Sequence, residues 1–233
     1  MLDFGFYNID CMKGMKQMED NSVDLTLTDI PYAEVNNARE GGGIRVIKKG
    51  DADQATFDLN EFCKEVFRVT KGTIIIFCAR GQMSTIHNIF IDYPKTTIRQ
   101  LIWEKTNPLP MNGQLIYLSG IENAIWCKKS GGTFNAFCKN TVFRYPSGSS
   151  ELHPTEKNHR LLAELINDNS KVNQIVFDPC SGSASTLLVA HDMGRKYIGF
   201  ELNKEYYKVA KKRLDAETAQ MNIYDFGVNQ YQE

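Results

Sequence analysis

Residues 72–79, GTIIIFCA, form an unbroken apolar run rich in β-branched side chains. A strand that is apolar on both faces has to be covered on both faces, the situation of a parallel sheet with helices on either side. Shorter β-rich runs recur along the chain and alternate with helical patterns, which argues for an α/β sheet. Strands are expected over 4–9 (FGFYNI), 23–29 (VDLTLTD), 98–105, 122–129, 174–178 and 196–201. Helices are expected over 12–21, over 58–70 (apolar Phe62, Val66, Phe67 and Val69), over 159–169, over 183–194 ending at Gly194, and over 203–214 with Asn203 as its cap. The link between 105 and 122 is too irregular for a helix, so 98–105 and 122–129 are expected to pair antiparallel at one edge of the sheet. The polar residues from about 216 onward are expected to trail along the surface.

The 233 residues suit a single domain. No run of about 18 apolar residues occurs, so no membrane span is expected. The opening MLDFGFYNID lacks a basic region and a long apolar core, so no signal peptide is expected. Six cysteines without a C-x-x-C pair point to buried thiols in a reducing cytoplasm. The four histidines show no ligand spacing with Cys or carboxylates, and no metal is expected. A net charge of −1 carries no hint of a polyanionic partner, but its distribution does. Acid-poor stretches hold Arg39, Arg45, Lys48 and Lys49, and then Lys128, Lys129, Lys139 and Arg144.

Two short stretches carry chemistry. In SVDLTLTDIPYAEVNN a β-branched run ends in Asp29, Ile30, Pro31 and Tyr32. In open α/β sheets ligands bind outside the carboxyl ends of strands, so a carboxylate and an aromatic at a strand exit mark a site. The second stretch, IVFDPCSGSASTLLVAHDMGRKYIGFELN, reads as strand, small-residue loop, helix, strand and acid. Small residues let a ligand approach the backbone, and the helix N-terminus offers free N–H groups. Glu201 stands near the spacing at which an acid accepts from ribose hydroxyls, so the ligand is expected to be a nucleoside. The loop has one glycine, Gly182, and Asp178 stands at the strand end. A pyrophosphate would be repelled by that carboxylate, whereas an ammonium and sulfonium would be favoured, which points to S-adenosylmethionine.

Asp29-Ile30-Pro31-Tyr32 resembles the Asp-Pro-Pro-Tyr motif of the β-class DNA amino-methyltransferases. Phe177-Asp178-Pro179-Cys180-Ser181-Gly182-Ser183 resembles their cofactor loop, and His153-Pro154-Thr155-Glu156-Lys157 the motif that precedes it. Two departures stand out: Ile30 replaces the first proline, and Asn158 replaces the proline after the lysine. The loop also carries Pro179 and Cys180 where a glycine is usual. The resemblance implies a circularly permuted Rossmann-like fold, with a mostly parallel twisted sheet, an antiparallel edge strand and helices on both faces. It implies a bacterial or phage-encoded enzyme that moves a methyl group from S-adenosylmethionine to adenine N6 in DNA. Cytosine N4 is the near alternative, and a degenerate DNA-binding homologue or a nicotinamide-dependent dehydrogenase the more distant ones.

The resemblance further assigns catalysis to Asp29, Ile30, Pro31 and Tyr32. The carboxylate and the residue-30 carbonyl would grip the amine of a flipped-out base, and Tyr32 would stack on it. Cofactor contacts fall to Asp10 and Cys11 at the adenine, to Thr155, to Lys157 at the carboxylate, to Phe177, Asp178, Pro179, Cys180, Ser181, Gly182 and Ser183, and to Glu201 and Leu202. The alternative for Asp10 is a helix cap for 12–20 alone. Residues 33–56 are expected to be a mobile loop over DNA and 128–150 a short target-recognition region, with the basic residues above on phosphates. A homodimer, and either a restriction–modification or a solitary role, stay open.

Overall fold

The structure is a computed structural model that describes residues 2–32, 57–110, 113–147 and 157–228, with side chains as far as 219. Strands β1 (Gly5–Asn8), β2 (Val23–Asp29), β3 (Thr70–Cys78), β4 (Thr96–Lys105), β5 (Ile121–Lys129), β6 (Val142–Tyr145), β7 (Ile175–Asp178) and β8 (Lys196–Glu201) form one sheet. Helices α1 (Cys11–Met15), α2 (Leu59–Val69), α3 (Arg80–Ile91), α4 (His159–Asn169), α5 (Ser185–Asp192) and α6 (Lys204–Val228) cover it. The strand order is β1-β8-β7-β2-β3-β5-β4-β6.

β3, apolar from Ile74 to Cys78, sits near the middle, as that run demands. Ile74 and Ile76 pack with Phe62, Val66, Ile86 and Phe90 of α2 and α3, while Ile75 and Phe77 face Leu161, Leu165 and Val189 of α4 and α5. A third cluster, with Phe6, Leu187, Ala210 and Leu214, seats α6 over β1 and α5. Among the described residues, no helix is long and apolar enough to cross a membrane.

Capping sets the helix starts. Asp58 accepts from Glu61 N at 3.0 Å and Asn203 from Glu205 N at 2.9 Å. Asn158, where the related motif has proline, accepts from Arg160 N at 2.9 Å and Leu161 N at 3.2 Å and so caps α4.

Four expectations change. The one antiparallel strand, β5, is internal: it pairs antiparallel with both β3 and β4, and β6 lies at the edge, parallel to β4. The outer side of β4 would otherwise be bare, and Ile102 N and Trp103 Nε1 find their acceptors on Thr141 and Tyr145. Helix α1 stops at Met15 rather than near 21, because the Arg68 guanidinium takes the Met15 and Met18 carbonyls, at 2.6 and 2.9 Å. α3 and β6 are elements the sequence reading did not contain. Residues 216–228 continue α6 instead of trailing, with Arg213–Glu217 at 2.9 Å and a Lys211–Asp215 pair on its surface.

Candidate active site

Strands β1, β8, β7, β2 and β3 are mutually parallel, so their carboxyl ends share one rim. From β2 the chain moves outward through β3, and from β7 it moves the other way through β8. The order therefore reverses between β7 and β2, which is where an open α/β sheet forms its crevice. Asp29 ends β2 and Asp178 ends β7. The Thr28 hydroxyl crosses the crevice and donates to Asp178 Oδ1 at 2.7 Å. Because β5 runs the opposite way, its first residues, including Glu122, arrive at the same rim.

On the β2 side the charges are densely matched. Lys157 Nζ donates to Asp29 Oδ2 and to Glu122 Oε2, each at 2.6 Å. Lys105 reaches Glu122 Oε1 at 2.7 Å. The Tyr32 hydroxyl donates to Glu122 Oε2 at 3.3 Å. Burial pushes the Asp29 carboxyl above its ordinary range, Lys157 pulls against this, and Glu122 adds to it. Burial works against the Lys157 ammonium too, but the two carboxylates outweigh it and leave its pKa raised. Glu122 would also rise on burial, yet Lys157 and Lys105 hold it down at about 2. Asp29 keeps 29% of its side chain open, while its Oδ1 is buried and has no partner among the described residues. A buried acceptor without a donor is costly. Ile30 is 2% exposed and its N–H donates to Phe77 O at 3.2 Å. Gln82 donates to the Pro31 carbonyl at 3.1 Å.

On the β7 side a compact loop wraps the strand end. Asp178 Oδ1 also accepts from Cys180 N at 3.1 Å, and the Ser181 hydroxyl donates to Asp178 O at 2.7 Å. Ser181 N bonds to Phe200 O at 2.8 Å. That crossing is tight: a Cβ on Gly199 would stand 2.5 Å from Ser181 Oγ. Gly182 turns the loop at φ +49° and donates its N–H to Glu201 Oε2 at 3.0 Å, while Glu201 Oε1 takes Asn203 N at 2.7 Å. Asp178 is 3% exposed and no cation pairs with it among the described residues. Burial pushes its carboxyl up to about 7, against the pull of the Thr28, Cys180 and Thr186 hydrogen bonds. A buried carboxylate that lacks a cation, beside a glycine turn and an acid-bearing β8, fits a cationic nucleoside ligand such as S-adenosylmethionine. Asp178, Gly182 and Glu201 would hold it.

Asp29, Ile30, Pro31 and Tyr32 thus stand beside Phe177, Asp178, Pro179, Cys180, Ser181, Gly182 and Ser183, with Glu201, Leu202, Asp10 and Cys11 at the neighbouring strand ends. Asp10 caps α1, accepting from Lys13 N at 3.0 Å. The Cys180 thiol is held well above the usual thiol range by a hydrogen bond with Cys11 and by burial.

Three of the basic residues expected on DNA are elsewhere. Lys128 and Lys129 finish an antiparallel strand and lie at the opposite rim, level with Thr73 and the start of β4. Lys129 Nζ is turned inward, donating to Phe67 O at 2.6 Å and lying 3.7 Å from the Phe67 ring centre. Lys139 is taken by Glu164, at 2.7 Å, and Asp168 of α4. Only Arg144 of this group is at the crevice rim, exposed beside Glu104 at 3.0 Å. Lys157, expected at the cofactor carboxylate, bonds to Asp29 instead, because two buried carboxylates at the rim need a cation. Arg39, Arg45, Lys48, Lys49, Thr155 and the whole 33–56 loop lie outside the described residues. Glu122 and Lys105 were missed. An acid at the start of the ENAIWC strand, ahead of its apolar Ala124–Cys127 run, was the available signal.

Fold and crevice define a class: a Rossmann-like α/β protein whose β2 and β7 ends open into one crevice. Comparison with known proteins narrows it. A family model described as DNA methylase, N6_N4_Mtase, matches residues 23–212. The chain is 26% identical to the type II methyltransferase M2.DpnII of Streptococcus pneumoniae, over 89% of this chain and 88% of that one. It is 29% identical to the type II methyltransferase M.HinfI of Haemophilus influenzae, over 88% and 66%. Among solved structures it is similar to the M1.HpyAVI–SAM complex, with a TM-score of 0.68, 26% identity and coverage of 89% and 98%. The cytosine-N4-specific PvuII DNA methyltransferase shares the fold at a TM-score of 0.68 and 16% identity. The chain belongs to the N6/N4 DNA methylase family.

Proposed function

We propose that this chain methylates the exocyclic N6 of adenine in DNA, with S-adenosylmethionine as the methyl donor. The observation that carries the reading is the pair of incompletely matched carboxylates in one crevice: among the described residues, Asp29 has a buried acceptor lacking a donor, and Asp178 is hydrogen-bonded but lacks a cation. The first suits an amine that must be gripped. The second suits a cationic ligand. When bound, S-adenosylmethionine supplies an electrophilic methyl group.

The chain's own residues supply positioning. An exocyclic amine has its lone pair conjugated into the ring. Acceptance of its two N–H bonds by Asp29 and the Ile30 carbonyl favours a pyramidal nitrogen and frees that pair. Pro31 keeps Ile30 extended, and a carbonyl survives the exchange of proline for isoleucine. Tyr32 stacks on the extruded base, returning roughly 1–3 kcal/mol of the cost of flipping. Glu201 accepts from the ribose, and Asp178 with the Gly182 turn holds the amino-acid end. The departures that favoured a binding-only reading both have structural uses: Ile30 fills the core and Asn158 caps α4.

In this reading Arg144 contacts phosphate, and the enzyme works in a reducing cytoplasm, as a monomer or a homodimer. The test is direct. DNA incubated with the protein and S-adenosylmethionine is digested to nucleosides and analysed by mass spectrometry. N6-methyladenine is expected. N4-methylcytosine alone would overturn the adenine assignment, and no methylated nucleoside on any DNA would overturn the activity.

A further inference from the structure

The Lys157 ammonium has three N–H donors, and the structure distributes all three. One goes to Asp29 Oδ2 at 2.6 Å, one to Glu122 Oε2 at 2.6 Å, and the third faces the Tyr32 hydroxyl oxygen at 3.5 Å. Lys105 secures the other Glu122 oxygen at 2.7 Å. Asp29 Oδ1 is left buried with no partner among the described residues. The two oxygens of one carboxylate therefore have different roles, although an ammonium on Oδ2 needs only a small shift to reach both.

We propose that Glu122 is a positioning residue: by taking one donor of Lys157 it confines that ammonium to Asp29 Oδ2 and reserves Oδ1 for the amino group of the base to be methylated. The proposal rests on the methyl-transfer reading above. If Glu122 is neutralised, the attraction that draws Lys157 away from Asp29 weakens. The released N–H then turns to the nearest anionic acceptor, Oδ1, where it competes with the substrate. Two carboxylates, Asp29 and Glu122, and two ammoniums, Lys157 and Lys105, also balance in charge, so the cluster can stay ionised with little solvent. Among the described residues, the charged and titratable groups that face Asp29 are Lys157, Glu122 and Tyr32 in the cluster, Lys105 behind Glu122, Cys78 on β3 and Asp178 across the crevice.

Glu122→Gln keeps the shape and removes the charge. In single-turnover assays its methyl-transfer rate is expected to fall tenfold or more, with Kd for S-adenosylmethionine and for a short duplex within twofold of wild type. The acid limb of its rate–pH profile is expected to move to lower pH, because Asp29 loses a repelling neighbour and gains a closer cation. Lys157→Met is expected to move that limb the other way, and Glu122→Asp to recover part of the rate. The double variant Lys105→Gln/Glu122→Gln keeps the cluster's charge balanced, guards against simple misfolding, and has to show the same loss of rate. A Glu122→Gln enzyme with wild-type rate would overturn the proposal. So would one whose rate falls only in step with cofactor affinity while the acid limb stays put. Carbon-13 NMR titration of Asp29 in the ligand-free protein needs no activity. There, Glu122→Gln is expected to lower the Asp29 pKa, and an unmoved titration overturns the positioning role. Absence of any methylated nucleoside from the wild-type protein overturns instead the methyl-transfer reading beneath it.

Discussion

Asp29 and Asp178 end adjacent strands at one rim, and their surroundings are opposite in kind. Asp29 belongs to a cluster that carries its own cations, Lys157 and Lys105, with Glu122 as a second anion. Among the described residues Asp178 accepts only from hydroxyls and an N–H. Under the proposed function the contrast follows from what each side has to receive. A neutral base amine brings no charge, so its carboxylate has to be kept ionised by the protein. A cationic cofactor brings its own counter-charge, so a protein cation beside Asp178 would only compete with it. The pH responses are opposite as well. Glu122, held down at about 2, contributes stability that is present above pH 4.5 and lost as the pH falls toward 2. Asp178, pushed up to about 7, contributes stability that is present below pH 4 and lost as the pH rises through 7.

The sharpest way to break this comparison is Asp29→Asn. Methyl transfer is expected to fall about 10²–10³-fold, the usual scale for losing one preorganised electrostatic partner, with cofactor Kd nearly unchanged by calorimetry. Parallel loss of cofactor binding would mean that the two halves are not separate in function.

Asp178→Asn should do the reverse. It keeps acceptors for Thr28 and Cys180 but removes a buried charge. The ligand-free protein is expected to gain up to about 4 kcal/mol of stability at pH 8, to lose the decline between pH 4 and 7, and to bind S-adenosylmethionine at least tenfold more weakly. Denaturant melts at several pH values and calorimetry read both effects. An unchanged melt at pH 8 would show that Asp178 is not the uncompensated charge.

A smaller effect separates the two rims. Arg144→Gln at the crevice rim is expected to lower the salt dependence of DNA binding by about one phosphate contact. Lys128→Gln at the opposite rim is expected to leave the slope unchanged. Equal slopes for the two variants would contradict the placement. The smallest test concerns the cofactor side alone. Ala184, just before α5, has φ +61°, a left-handed conformation that costs a Cβ-bearing residue roughly 1–2 kcal/mol. Ala184→Gly relieves it but adds freedom to the unfolded chain. The net expectation is a gain below about 1 kcal/mol in denaturant melts.

Much of the cofactor half was legible in one continuous stretch. Asp178, Gly182 and Glu201 belong to a strand–loop–helix–strand unit whose partners are near in sequence, and residues 182 and 201 do meet, at 3.0 Å. The acceptor half was legible only at Asp29 to Tyr32. Glu122 and Lys105 lie on strands whose composition is plain but whose direction is not. Reversing one strand exchanges its ends between rims, and this is why Lys128 and Lys129, basic and close to the expected recognition region, are remote from the crevice while the unremarked Glu122 is inside it. Lys157 was recognised, but its bond to Asp29 was not, because that residue lies 128 positions away in sequence.

Local chemistry alone determined most of the strands and helices, though not α3 or β6, that β3 is covered on both faces, and where Asp29, Asp178 and Glu201 fall on strand ends. Period, capping and small-residue turns act over a few residues, so one chain written in order contains them. The tertiary structure decided the direction of β5, the rim each charge occupies, and the sharing of Lys157 between Asp29 and Glu122. Those depend on strand pairing and on the balance between burial and opposite charge, which exist only once distant segments have met.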